Sequence, residues 1–285
     1  MAKVKKKVTT KKTEVKKPKP VKKAEVKEFK TGSLEVNLYS IKGKAVKKVK
    51  LPRAFDEPLR LDLIRKTVHA FQANSRQPYG PNPMAGMRHA VATWGKGRGT
   101  ARVQRFSQGR TAAESPGNVG GRRAHPPTVE KNWGKKINRK EKLKARNSAL
   151  GATAVQSIVA DRGHKFDNKL TVPLVLEDEF ETLYETKKVI EALEKLGVYE
   201  DVERATNGKH IRAGRGKSRS RKYKIPRSLL IIVSDDSKLK LGARNLLGVD
   251  VITPDQLNVE HLAPGGDPGR LTIFTENAIK QLGAW

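Results

Sequence analysis

The residues best placed to do chemistry are cations set in a stretch with almost no apolar bulk. Arg76, Arg88, Lys96, Arg98, Arg102, Arg105, Arg110, Arg122 and Arg123 are separated largely by Gly, Ala, Thr, Ser and Gln between residues 72 and 128. Guanidinium forks pair bidentately with phosphate and stack on bases. The interspersed glycines let backbone approach a groove or phosphate closely and adopt positive φ. Tyr79, Trp94, Phe106 and Trp133 add planes on which unpaired bases can stack. Lys135, Lys136 and Arg139 carry the charge onward, and a second run over 205–227 holds Arg212, Arg215, Lys217, Arg219, Arg221 and Lys222 without one acid. Chemistry of this kind neutralises and grips a polyanion.

Bond-making chemistry finds no comparable support. The run GKGRGT (95–100) has glycines at 95, 97 and 99, but a dinucleotide fingerprint needs one where Thr100 stands. Gly216-Lys217-Ser218 resembles the end of a phosphate-binding loop, yet Ile211 occupies the position of its leading glycine. The six histidines (69, 89, 125, 164, 210, 261) are scattered, and the chain has no cysteine, so thiolate metal sites and disulfides are excluded. Asp235-Asp236 follows an apolar run where catalytic carboxylates often sit, but Ser234 and an immediate helix start make N-capping the better account. Neither catalytic residues nor a cofactor nor a metal is expected.

The distribution of charge names the partner. Residues 1–30 carry a net +10, residues 72–146 a net +14 and residues 205–227 a net +9; set against +31 for the chain, these leave about −2 for everything else. The reading is a near-neutral globule bearing three basic appendages, and an excess of that size implies a polyanion. No apolar run reaches the roughly 18 residues of a membrane span, and no bulky amphipathic basic helix suggests a lipid surface. The basic N-terminus lacks the apolar region of a secretory signal, which leaves cytoplasmic residence as the default. RNA is favoured over DNA because no helix-turn-helix, zinc finger, basic zipper or heptad is present. If residues 72–128 run out and back, each limb could reach at most roughly 90 Å, which makes sense only inside something large.

Periodicity outlines the scaffold that must hold these appendages. Residues 1–32 are expected to form a disordered tail, serving either as a solubiliser or as an electrostatic arm. A hairpin over 34–51 comes next, then a helix from Leu59 whose apolar face is Leu61, Ile64, Val68 and Phe71, with Asp56 as a plausible N-cap. The 72–128 stretch is too long for a structureless loop in a compact domain, so a specific shape taken from a partner is preferred over a repetitive Arg/Gly tract. One long helix or two abutting ones follow over 137–163, with an apolar stripe of Leu143, Leu150, Ala154 and Ile158. Apolar strands are expected at 171–178, 228–234, 248–254 and 270–275, and helices at 187–198, 237–247, 255–261 and the C-terminus. Strands that are apolar throughout and alternate with short helices imply a mostly parallel sheet covered on both faces. The expected architecture is therefore α/β, one open sandwich over 33–285 interrupted by the loop 72–128 and the insertion 205–227.

Five stretches carry a resemblance. DLIRKTVHAFQANSRQPYG (62–80), WGKGRGTARVQR (94–105), GGRRAHPP (120–127), ALGATA (149–154) and LGARNLLGVDVITP (241–254) fall in one order along the chain. Together they resemble the large-subunit ribosomal protein L-four family in its archaeal and eukaryotic form, from about residue 33 to the end. The resemblance implies a Rossmann-like globule at the subunit surface and a long loop penetrating ribosomal RNA. It implies that the loop tip, Gly95, Gly97, Arg98, Gly99 and Thr100, lines the nascent-peptide exit tunnel beside ribosomal protein L-twenty-two. Within WGKGRGTARVQR it implies that Trp94, Lys96, Arg98, Arg102 and Arg105 contact the RNA, and within GGRRAHPP that Arg122, Arg123 and His125 do so on the returning limb. A nucleic-acid-binding protein outside the ribosome, regulatory or chromatin-like, is the alternative on composition alone.

Overall fold

A computed structural model describes residues 35–235 and 237–283. The expected N-terminal tail and Asp236 of the Asp235-Asp236 pair lie outside the described residues. The chain opens on the hairpin β1 (Glu35–Tyr39) and β2 (Ala45–Lys50), followed by α1 (Leu61–Asn74). Beyond α1 an irregular arm holds only the two-residue strands β3 (Val91–Ala92) and β4 (Arg105–Phe106). Regular structure resumes with α2 (Arg139–Thr153), α3 (Gln156–Asp161), β5 (Leu174–Leu176), α4 (Thr186–Lys195) and α5 (Tyr199–Asn207). A minor hairpin, β6 (His210–Ile211) and β7 (Tyr223–Lys224), precedes β8 (Leu230–Ile232), α6 (Ser237–Ala243), β9 (Asp250–Ile252), α7 (Val259–Leu262), β10 (Thr272–Thr275) and α8 (Glu276–Leu282).

Six strands form the main sheet in the order β2-β1-β5-β10-β8-β9. All neighbours from β1 to β9 run parallel, and only β2 is antiparallel. The mostly parallel α/β sheet anticipated from apolar strands is therefore present. Alternation along the central strands sorts their side chains into two cores. Val175, Leu230, Ile232 and Phe274 pack with Ile64 and Val68 of α1 and Ala149 and Leu150 of α2. Leu174, Leu176, Ile231 and Ile273 pack on the other face with Val189 and Leu193 of α4 and Leu239 of α6. Edge strand β2 carries Lys47, Lys48 and Lys50 and is mostly exposed, a charge pattern that discourages pairing with another sheet.

Several local expectations are corrected. Asp56 does not cap α1, which begins at Leu61 after Arg60 and has no side-chain cap. Instead the Arg60 amide donates to Ser148 Oγ at 2.7 Å, and Ser148 Oγ donates to the Pro58 carbonyl at 2.9 Å, so α2 supplies the missing partner. Leu143 is not part of the buried stripe: it is 48% exposed, and the helix buries Ala145, Ser148, Ala149 and Ala152 instead. Small residues are needed there because α2 lies against backbone. A Cβ on Gly151 would stand 2.9 Å from the carbonyl oxygens of both Phe55 and Glu57. Helix α5 was not anticipated as an element, although it buries Asp201, Val202 and Ala205.

Candidate nucleic-acid interface

The arm leaves the C-terminus of α1 and returns to the N-terminus of α2, with its limbs fastened to each other at intervals. At the root the Asn74 side-chain amide donates to the Lys135 carbonyl at 3.3 Å, and its oxygen accepts from the Lys135 amide at 2.7 Å. Tyr79 of the outgoing limb stacks on Trp133 of the returning one, ring centres 5.9 Å apart and 14° from parallel. Farther out, the Gly86 backbone lies against Arg122. Val91 and Ala92 then pair antiparallel with Phe106 and Arg105, and a side excursion folds back so that Arg105 also bridges to Ala112. The turn beyond the 92–105 pair contains Gly95, Gly97 and Gly99, all at positive φ (75°, 81° and 62°). Each of these glycines has open space where a Cβ would stand. Alternate left-handed residues curl a chain tightly and cost L side chains roughly 1–2 kcal/mol apiece, which is the physical reason for the glycine spacing.

The aromatic planes expected to await bases are already engaged within the arm. The Arg76 guanidinium lies 4.0 Å and the Lys131 ammonium 4.4 Å from the Trp133 ring centre, in addition to the Tyr79 stack. Phe106 meets His89 edge-on at 5.0 Å, and Arg105 lies 5.4 Å from the Trp94 centre. Aromatic–cation and aromatic–aromatic contacts thus replace an apolar core along the arm. Arg105 is spent in the same way. Its guanidinium donates to the Arg110 carbonyl at 2.6 Å and the Ala101 carbonyl at 3.3 Å, tying the distal turn to the side excursion.

Most of the cations, engaged or not, keep solvent exposure. Arg76, Arg88, Lys96, Arg98, Arg102, Arg110, Arg123, His125, Lys135, Lys136 and Arg139 are exposed, whereas Trp94, Arg105 and Arg122 are half-buried. In the second basic segment β6 and β7 pair His210 with Lys224 and Ile211 with Tyr223, and a 3-10 turn over Gly214–Ser218 caps the hairpin. Arg212, Arg215, Lys217, Arg219, Arg221 and Lys222 are all exposed on it. The structure thus brings the sequence-predicted residues into two displays, arm and hairpin.

Sequence spacing gave no sign of the network beneath that hairpin. Asp201 is fully buried and accepts from His164 Nδ1 at 3.0 Å, the Lys165 amide at 3.0 Å, Arg204 Nε at 2.8 Å and Ser228 Oγ at 2.8 Å. Burial alone would push this carboxyl up, but the hydrogen bonds from His164 and Arg204 hold it well below the usual carboxylate range. Burial pushes His164 down, so at neutral pH it is an uncharged donor. Although Ser, His and Asp meet here, Ser228 donates to the carboxylate rather than to the imidazole, and all three are buried. The arrangement has no activated nucleophile. Its work is mechanical, because Arg204 also donates to the Arg227 carbonyl at 2.9 Å where the hairpin ends. Arg227 in turn pairs with Asp250 at 2.7 Å. Asp250 also holds Arg270 at 2.7 Å, and burial brings that guanidinium down to about 10 without discharging it.

Comparison with known proteins places this geometry. The family model described as the Ribosomal protein L4/L1 family matches residues 49–285. The chain belongs to that family. Three archaeal relatives, each named large ribosomal subunit protein uL4, match along nearly their whole length. The protein of Methanocaldococcus jannaschii is 50% identical over 86% of this chain and 96% of its own. That of Methanopyrus kandleri is 47% identical over 87% and 98%, and that of Archaeoglobus fulgidus 46% identical over 88% and 99%. The matched region of the L4/L1 family includes the arm, the hairpin and strands β5, β8, β9 and β10 of the main sheet.

Proposed function

We propose that this chain is a structural, non-catalytic constituent of the large ribosomal subunit in the cytoplasm, where it binds and organises large-subunit ribosomal RNA. The observation that carries this reading is the near-full-length similarity to proteins named for that subunit. The charge display adds physical support, since exposed Lys and Arg gather on the arm and the hairpin, and the chain outside these and residues 1–30 is near neutral. Phosphate neutralisation with counterion release supplies the affinity. In the finer reading, residues 33–285 form one globular domain interrupted by an RNA-penetrating arm over 72–128 and a basic insertion over 205–227. The turn at Gly95, Gly97, Arg98, Gly99 and Thr100 lines the nascent-peptide exit tunnel beside ribosomal protein L-twenty-two. The exposed cations of both projections contact the RNA, and Arg105 positions the turn from within the arm.

Ultraviolet crosslinking in cells, with sequencing of the attached RNA and mapping of the attached peptides, tests this. Crosslinks confined to large-subunit ribosomal RNA, on peptides from 72–146 and 205–227, are expected. Crosslinks spread over many transcripts, chiefly through residues 1–30, would refute it.

A further inference from the structure

Between the outer face of α1 and the returning limb of the arm lies an open cleft of about 800 Å³. A smaller one of about 350 Å³ adjoins it, sharing Ala70, Lys135, Lys136 and Ile137. Four features set it apart from the rest of the basic surface. Its floor is small and apolar: Ala70 is 4% and Ala73 9% exposed, so α1 offers no long side chain where the cleft is deepest. Its walls are cationic, with Lys66 and Arg76 on α1 and its exit, Lys135 and Lys136 on the limb, and no Asp or Glu among the lining residues. Among the described residues only Lys66 has a carboxylate partner there, Glu141 at 2.8 Å. The limb that forms the far wall is pinned by the two Asn74 bonds to Lys135. Trp133 closes the cleft with an indole N–H that is buried and has no hydrogen-bond partner, an arrangement that costs free energy unless something accepts from it.

We infer that this cleft receives a single unpaired nucleotide of RNA, its base on the Ala70–Ala73 floor and its phosphate held by Arg76, Lys135 and Lys136. This rests on the ribosomal reading and specifies what the root of the arm takes. A duplex presents its phosphates on a broad convex rail, whereas a splayed-out nucleotide offers a flat apolar face, polar edges and one phosphate. The flat face matches the floor and the phosphate matches the cationic wall. The cleft thereby differs from the hairpin and the distal turn, whose cations stand on open surface suited to backbone of any form.

The test uses large subunits assembled with the full-length chain. Crosslinked peptides spanning 66–76 and 131–137 are isolated, and the attached nucleotide is scored as paired or unpaired by ribose-reactivity probing of the same RNA free of protein. The expected result is one dominant position, unpaired in the RNA. Ala73→Met fills the floor while leaving every cation in place, and by excluding the base it should lower the crosslink yield roughly tenfold, equivalent to about 1.4 kcal/mol of lost binding. The double variant Lys135→Gln, Lys136→Gln alters only exposed positions and should lower it as well, which keeps the test decisive if Ala73→Met folds poorly. Crosslinks from these peptides to paired nucleotides or to protein, no crosslink at all, or yields unchanged in both variants would overturn the inference. In each of those cases the chain is still found in subunits. Its absence from subunits would instead overturn the ribosomal reading.

Discussion

The basic hairpin offers the cleanest quantitative test of how this chain grips RNA. Arg215, Lys217, Arg219 and Arg221 are exposed on or beside its 3-10 cap, and none forms a salt bridge among the described residues. Arg212 is left intact in the test because its Nε donates to the Tyr223 carbonyl at 3.3 Å and so holds the hairpin together. Changing the four residues to Gln removes charge without touching a packed contact. If each neutralises one phosphate, each contributes about 0.7 to 0.9 to the slope of log affinity against log salt, and the four together about 3. Over a fourfold rise in salt, the affinity of the wild-type chain should therefore fall roughly 60-fold more than that of the variant. Filter binding to large-subunit ribosomal RNA at several salt concentrations reads the slope directly. Thermal unfolding should be unchanged, since surface substitutions away from packed features cost within about 0.5 kcal/mol. A variant with the wild-type slope would show that the hairpin cations face solvent, and the assignment of 205–227 to RNA contact would fall.

Other expectations follow from the scaffold. Asp201→Ala leaves the buried His164, the Ser228 hydroxyl and the Lys165 amide without their acceptor, so stability should fall by about 3–5 kcal/mol; urea unfolding that shows less than about 1 kcal/mol would refute the network's role. Stability should also depend on pH through His164. Its folded pKa lies below the ordinary 6.5, so the contribution is complete above that value and declines as pH falls beneath it, with the depressed Asp201 adding a further loss at more acidic pH. His164→Gln should flatten the midpoint–pH curve just below neutrality, and an unchanged slope would exclude His164 as its source. Gly151→Val should separate α2 from the segment at 55–57, where a Cβ has no room, and lower the melting midpoint by several degrees, corresponding to about 1–3 kcal/mol; a wild-type midpoint would refute the close approach.

Element type was legible wherever hydrophobic spacing decided it. Leu229 to Val233 is apolar throughout and became the fully buried β8, and the alternation around Val36 and Leu38 became β1. Misreadings came where tertiary contacts overrode the local pattern. Leu143 fits a helical stripe in sequence, but the buried face of α2 is Ala145, Ser148, Ala149, Leu150, Gly151, Ala152 and Thr153, and at Gly151 the partner is backbone. Asp56 has the right chemistry for a cap, but Ser148, 88 positions from Arg60, does the job. The site was legible as composition only. Charge runs marked the arm and hairpin, while nothing in spacing distinguished Arg105, spent on carbonyls inside the arm, from Arg102 beside it. The Asp201 network joins residues 164, 201, 204 and 228, which meet only because the segments following α3 and preceding β8 both return to α5.

The two ends of the arm meet at Asn74 and Lys135, 61 positions apart, within hydrogen-bonding distance. Seen from the sheet, the whole excursion is closed off at a single point. Closing a longer loop costs little more than closing a shorter one, only about 0.6 kcal/mol per doubling of length. Residues added to or removed from the far end therefore leave the cores on both faces of the sheet as they were. The length and tip of the projection can drift under selection from its surroundings while the globule stays constant, and the same join marks where an arm from a relative can be exchanged for this one.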